Sequence, residues 1–197
     1  MTSDPARAKA ALRQAVANRL FRLPDGEKAR QSAAAGERLR GWLAERLPAK
    51  TWILGYWPRV DEIDLQPVWR WWRAQGGGLA LPRWMGGSAL AFHAWPPGAD
   101  ENALVPARGG LKEPPAFWPA FALEQAAAII VPGVAWDSRG KRLGRGSGCY
   151  DALLASIACP TASVAFEEQR VDAVPAEPHD RPISAVFSAS GAWESAG

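Results

Sequence analysis

Cysteine is almost absent from this 197-residue chain. The two present, Cys149 and Cys159, fall in one expected helix and at its end, which excludes a disulfide framework. No run of about 18 uninterrupted apolar residues occurs, so no transmembrane helix is expected. The opening Met1-Thr2-Ser3-Asp4-Pro5 lacks a charged start followed by an apolar core. No signal peptide is expected, and the cytoplasm is the expected location. Charge of one sign is missing too: 23 Lys and Arg stand against 20 Asp and Glu, a net charge of +3 spread along the chain. Such a balance suits an anionic small ligand as well as a nucleic acid and decides nothing alone. There is no internal repeat and no collagen period, and 19 Gly with 17 Pro fall below the level of low complexity.

What remains is ordinary globular composition, 48% hydrophobic and 22% charged. A chain of this length buries roughly 70% of its unfolded surface and needs no disulfide or metal to fold. No linker stands out, so one domain over residues 1–197 is expected. Eleven Trp are many. Most are read as core, with a stacking surface for a flat ligand as the sharper alternative.

Asp4-Pro5 starts a helix that runs to about Leu23, and a second helix spans about Asp25 to Leu47. Thr51 to Trp57 reads as a buried strand, and Asp64 caps a short helix through Trp72. Short strands follow at Leu79 to Leu81 and Ala89 to Trp95. Pro96 to Pro119 is a connection long enough to be functional. Ala126 to Val131 is a continuous apolar strand, Pro132 to Gly148 a loop and Tyr150 to Ala158 a helix. Thr161 to Phe166 and Ala185 to Phe187 are the last strands. The alternation predicts a three-layer α/β fold: a mixed, mostly parallel open sheet with helices on both faces.

The loop carries most of the chemical information. It holds Gly140, Gly144, Gly146 and Gly148 together with Lys141, Arg142 and Arg145, and it lies between a buried strand and a helix. Glycines let backbone N–H groups wrap phosphate oxygens, and a helix N-terminus adds a favourable dipole. The common phosphate fingerprints do not fit, however. G-x-G-x-x-G would need Gly where Cys149 stands, and the P-loop spacing from Gly140 meets Arg145.

Two further features bear on the loop. Lys9 and Arg13 are neighbours one turn apart on the first helix. Lys9 falls within the stripe of Leu12, Val16 and Leu20, and Arg13 at its edge. They either snorkel at the core rim or point into a cleft between helix and sheet. Asp151 and Asp180 are two carboxylates that could hold magnesium beside phosphates, although Asp151 taken alone reads more readily as a helix cap or first-turn charge.

Together these residues resemble the 5-formyltetrahydrofolate cyclo-ligase family over nearly the whole chain. The resemblance rests first on Pro132-Gly133 through Arg142-Leu143-Gly144-Arg145-Gly146-Ser147-Gly148-Cys149-Tyr150-Asp151. It is supported by Lys9-Ala10-Ala11-Leu12-Arg13, by Tyr56-Trp57-Pro58 to Glu62-Ile63-Asp64, and by Gln169 followed by Val174-Pro175 and Glu177-Pro178-His179-Asp180. Cys149 stands where that family commonly has Tyr, Trp136 where it has Phe, Ser147 where Gly or Lys is usual, and Ser184 where Asp is frequent.

The resemblance implies cyclisation of 5-formyltetrahydrofolate to 5,10-methenyltetrahydrofolate, with ATP as co-substrate and Mg2+ as cofactor. It implies that Lys9, Arg13, Arg142, Leu143, Gly144, Arg145, Gly146, Ser147, Gly148, Cys149 and Tyr150 contact ATP, with Lys9 and Arg145 catalytic. Trp57 and Glu62, with Arg145 through Cys149, would contact the folate, and Asp151 and Asp180 would bind the metal. A monomer that engages neither nucleic acid nor membrane is expected. The alternative is a folate- or nucleotide-binding paralogue of the same fold without turnover.

Overall fold

The computed structural model describes residues 4–175 and 181–194. Helix α1 (Pro5–Arg22) starts where the Asp4 side chain accepts a hydrogen bond from the Ala6 N–H, with Pro5 in the first turn. Pro24 separates it from α2 (Asp25–Arg46), which carries Asp25 and Glu27 at its positive end and Arg46 at its negative end. Strand β1 (Trp52–Leu54), α3 (Gln66–Ala74) and the hairpin β2 (Gly78–Gly86) and β3 (Ala89–Ala94) follow. The 96–119 connection carries a small ribbon, β4 (Val105–Pro106) with β5 (Lys112–Glu113). Then come β6 (Ala120–Phe121), β7 (Ala126–Ile130), a second ribbon β8 (Ala135–Trp136) with β9 (Arg142–Leu143), and α4 (Cys149–Ser156). Strands β10 (Thr161–Val164), β11 (Ala185–Phe187) and β12 (Ala192–Glu194) end the chain's described part.

One eight-stranded sheet has the order β12-β11-β10-β7-β1-β2-β3-β6. The five central strands are parallel, and β12, β3 and β6 pair antiparallel at the two sides. Side chains alternate between faces with period two. Ile53, Ala128 and Ile130 face a core closed by Val16 and Leu20 of α1, Leu39 and Leu43 of α2, and Val68 and Trp69 of α3. Leu54, Ile129 and Val131 face the opposite core with Leu153 and Leu154 of α4. The expected three layers are therefore present, three helices on one face and one short helix on the other. Most tryptophans are structural: Trp57, Trp95 and Trp118 form a chain of rings with centroids 5.6 and 5.5 Å apart. No helix among the described residues is long and apolar enough to cross a membrane.

Several expectations change in detail: β6 and β12 add to the expected strands, α3 runs on to Ala74, and α4 spans Cys149–Ser156 rather than Tyr150 to Ala158. The first strand ends at Leu54 rather than Trp57; the Gly55 N–H still donates to the Ala80 carbonyl of β2 at 2.9 Å, but Tyr56 and Trp57 lie beyond the ladder. Strand β2 extends to Gly86, past Pro82. Its parallel partner β1 reaches only from Gly78 to Ala80, so Pro82 lacks a ladder partner on that edge and its missing N–H does no harm. The 132–148 loop contains the β8–β9 ribbon, which its glycine content conceals.

That ribbon rests on a buried carboxylate. Asp137 is fully buried, and its oxygens accept from the N–H groups of Arg139 (2.9 Å), Lys141 (3.1 Å) and Val174 (3.1 Å). Gln169, also buried, donates to the carbonyls of Gly133 (3.3 Å) and Val134 (3.1 Å). Asp137→Ala would strand three backbone donors and is expected to cost about 2–4 kcal/mol. Thermal unfolding should show a fall of roughly 5–15 °C.

Candidate active site

The chain proceeds from β1 through α3 to β2 on one side, and from β7 through α4 to β10 on the other. Strand order thus reverses between β1 and β7, and α3 and α4 lie on opposite faces. A crevice is forced open beyond the carboxyl ends of these two strands, the place where open α/β sheets bind ligands. A cavity of about 390 Å³ lies here, lined from the β1 side by Tyr56, Trp57, Arg59 and Glu62 and from the β7 side by residues 144–151. The β2–β3 hairpin adds Trp84 and Leu90, and the β4–β5 ribbon adds Arg108 and Lys112.

The glycine-rich loop is fixed from beneath. Arg13 on α1 donates from Nε to the Gly144 carbonyl at 2.8 Å. Gly146 has φ 108°, a conformation that L side chains rarely adopt, and its open side faces the Arg13 guanidinium. Gly148 precedes α4, whose first residues Cys149, Tyr150 and Asp151 line the same space.

Opposite the loop stands a cluster of paired charges. Arg145 donates to Asp61 and to Glu62, both at 3.0 Å. Glu62 also accepts from the Arg59 N–H (3.1 Å), and Asp61 from Arg59 Nε (3.2 Å). Burial pulls the Asp61 carboxyl upward, but Arg145 and Arg59 outweigh it and hold the group below its ordinary value. Burial likewise works against the Arg145 charge, and Glu62 with Asp61 overcomes it and raises that pKa. Burial first, then the Glu62 charge, pushes the Tyr56 phenol well above its ordinary value, so it stays protonated.

Several expected residues meet at the cavity: Trp57, Glu62, Arg142, Gly144, Arg145, Gly146, Ser147, Gly148, Cys149, Tyr150 and Asp151 all line it. Lys9 and Arg13 are half-buried on α1 and are not among the lining residues. Leu143 places its side chain in the core, only its backbone belonging to the loop. Cys149 is buried, with its thiol 3.8 Å from the Gly87 carbonyl of the β2–β3 hairpin. Arg142 lines the crevice but spends donors on Pro132 and Asp151 in its wall. Its side chain is 3% exposed and forms an ion pair with Asp151 at 2.5 Å.

Asp180 and the neighbouring Glu177 and His179 lie outside the described residues. Among those described, no group of three His, Cys, Asp or Glu could cage a metal. Asp151 has one oxygen on Arg142 and a side chain 30% exposed at the cavity. Magnesium usually takes one or two carboxylates beside phosphate oxygens and water. The donor set therefore fits an ion delivered with phosphates.

Sequence reasoning passed over Asp61 and Arg59. The run Arg59-Val60-Asp61-Glu62 held the signal, since alternating charges in a loop after a buried strand invite a cationic partner. Trp84, Arg108 and Lys112 carried no such signal, because their approach depends on two ribbons folding back over the sheet edge.

Fold and site define an α/β protein with a glycine- and arginine-rich crevice at its switch point. The sequence pattern of the 5-formyltetrahydrofolate cyclo-ligase family matches residues 5–189. The chain is 33% identical to the 5-formyltetrahydrofolate cyclo-ligase of Mycolicibacterium smegmatis, covering 92% of this chain and 94% of that one. It is 32% identical to the Escherichia coli enzyme of the same name over 68% of this chain and 75% of that one. The solved 5,10-methenyltetrahydrofolate synthetase of Aquifex aeolicus superposes with a TM-score of 0.79 at 26% identity, covering 94% of this chain and 92% of that one. The synthetase of Mycoplasma pneumoniae, at 20% identity and a TM-score of 0.74, shares the fold over 92% of this chain and 98% of that one. The chain belongs to the 5-formyltetrahydrofolate cyclo-ligase family, a family of enzymes.

The Asp61 pairs make a pH-dependent contribution. Because the folded carboxyl sits below its unfolded value of about 3.9, the contribution is complete above that value and is lost as pH falls through the folded one. Asp61 is partly exposed, so the effect is small. Asp61→Asn is expected to melt about 1–4 °C below the parent chain at pH 7, with the gap closing below about pH 3.9. Melting curves across pH 2.5–7 check this, at roughly the resolution such pairs require.

Proposed function

We propose that this chain closes 5-formyltetrahydrofolate to 5,10-methenyltetrahydrofolate, with ATP converted to ADP and phosphate. The observation that carries the reading is one cavity faced by two chemistries. Its β7 wall offers backbone amides and glycines suited to phosphates, and its β1 wall offers Glu62 and Trp57 suited to a flat, donor-rich pterin. Arg145 stands between them, held by Asp61 and Glu62.

In this reading the formyl oxygen bonds to the γ-phosphorus while the bond from that phosphorus to the bridging oxygen of ADP breaks. The activated formyl carbon is then attacked by the second folate nitrogen. That nitrogen loses its proton, the carbon–oxygen bond breaks, and phosphate departs. The protein has little covalent work to do, so catalysis consists of positioning and charge stabilisation. The amides of residues 144–150 cradle the phosphates. Arg145 faces both ligands and stabilises charge as the phosphoryl group moves, already oriented by two carboxylates. Lys9 and Arg13 add positive potential behind the loop, and Arg13 also fixes the Gly144 carbonyl. Asp151 and Asp180 would hold magnesium, which neutralises phosphate charge when bound.

The test is absorbance of the methenyl product on mixing protein, ATP and 5-formyltetrahydrofolate. Product should require both substrates and match ADP one for one. Binding of both ligands without product would instead identify a non-catalytic paralogue. Two substitutions follow. Gly146→Val must strain a left-handed position beside Arg13, and it should weaken ATP binding at least about tenfold by calorimetry, while circular dichroism remains folded. Lys9→Ala should lower turnover by about 10²-fold or more with little change in melting temperature.

A further inference from the structure

Arg142 occupies a slot built for its side chain. The guanidinium donates from Nη2 to Asp151 Oδ1 at 2.5 Å and from Nη1 to the Pro132 carbonyl at 3.2 Å. Its centre lies 6.0 Å from the Tyr150 ring, on the edge of cation–π range. Two glycines form the slot's walls. A Cβ at Gly133 would stand 2.9 Å from Arg142 Cγ, and one at Gly144 would stand 2.8 Å from Nη1. A larger residue at either place would force Arg142 to shift, and at Gly133 would also meet the Trp136 ring at 2.7 Å. The stem and head are 97% withdrawn from solvent, and Nε is buried with no hydrogen-bond partner among the described residues.

A cation recruited for phosphate would present its donors to the cavity. Arg142 instead directs two of them inward, to the end of β7 and to the first turn of α4, and accepts an unsatisfied Nε in return. Two anchors at fixed separation need a planar, multi-donor head, which Arg supplies and Lys does not. We propose that Arg142 is a positioning residue that acts through Asp151: it fixes that carboxylate by one oxygen and leaves the other directed to the ligand space, so that Arg142 governs metal–nucleotide binding without touching the phosphates. This rests on the proposed nucleotide site and assigns a role that differs from direct phosphate contact.

The consequence is selective. A phosphate-binding cation contributes to nucleotide affinity whether or not magnesium is present. A residue that orients a metal-binding carboxylate contributes only with magnesium. Residues of the latter kind typically alter metal affinity by about 10–100-fold when replaced.

The experiment is calorimetric binding of ATP to the whole chain, with excess magnesium and again with a chelator. The parent, Arg142→Lys, Asp151→Asn and the double variant are compared, each checked for folding by circular dichroism and melting. Arg142→Gln serves if the Lys variant does not fold. Expected are a loss of about tenfold or more in Arg142→Lys with magnesium and less than about twofold without it. Asp151→Asn should show the same pattern, and the double variant should be no worse than Asp151→Asn alone. Equal loss with and without magnesium would overturn the proposal and put Arg142 on the phosphates. Unchanged affinity in both conditions would overturn it in favour of a purely structural slot. Failure of the parent chain to bind ATP in either condition is a distinct result, and it removes the nucleotide reading on which the proposal stands.

Discussion

A carboxylate without solvent exposure carries much of this architecture. Asp137 takes up three backbone N–H groups, two within the turn of the β8–β9 ribbon and one from Val174, in the chain that returns after β10. Its own carbonyl accepts from the Trp193 indole at 3.1 Å, and the Gly140 carbonyl accepts from the Ile183 N–H at 2.8 Å. The buried carboxylate and the carbonyls of its turn thus join the glycine-rich loop to segments otherwise far away in sequence. Burying a charge is costly unless hydrogen bonds replace its water. Here those hydrogen bonds are the means by which an irregular loop acquires a fixed shape.

Fixed shape matters because the crevice is rich in arginine. Three arginines in or beneath it are already held by oxygen: Arg13, under the glycine-rich loop, by the Gly144 carbonyl, Arg142 by Asp151 and Pro132, and Arg145 by Asp61 and Glu62. Positive potential is therefore presented by oriented groups rather than by long mobile side chains. Groups arranged in advance stabilise developing charge without reorganising at the moment of reaction. In the proposed reaction the carboxylates partnering Arg145 would also limit its net field and leave backbone amides as the principal phosphate donors.

Much of the fold was legible from local chemistry. Asp4 with Pro5 and the Pro24 break delimit α1 and α2, and the unbroken apolar run at 126–131 marks the central strand. The candidate site was legible where sequence neighbours act together, as in residues 142–151, and in Glu62, but not in the neighbouring Asp61. It was not legible where tertiary contacts decide. The strand expected over Leu79 to Leu81 runs on through Pro82 to Gly86, because the short reach of β1 leaves room for the proline. Arg142 and Arg145 look equivalent in the sequence, three residues apart in one basic loop. Packing against Gly133 and Gly144 buries the first, and two acids from the β1 side draw the second across the crevice.

In the proposed reaction the formyl oxygen of the folate becomes an oxygen of the released phosphate. The direct measurement uses 5-formyltetrahydrofolate labelled with oxygen-18 in the formyl group, turned over by this chain with unlabelled ATP in unlabelled water. The phosphate is then examined by mass spectrometry. The account predicts a single heavy oxygen in each phosphate released. Methenyl product formed with wholly unlabelled phosphate would contradict it.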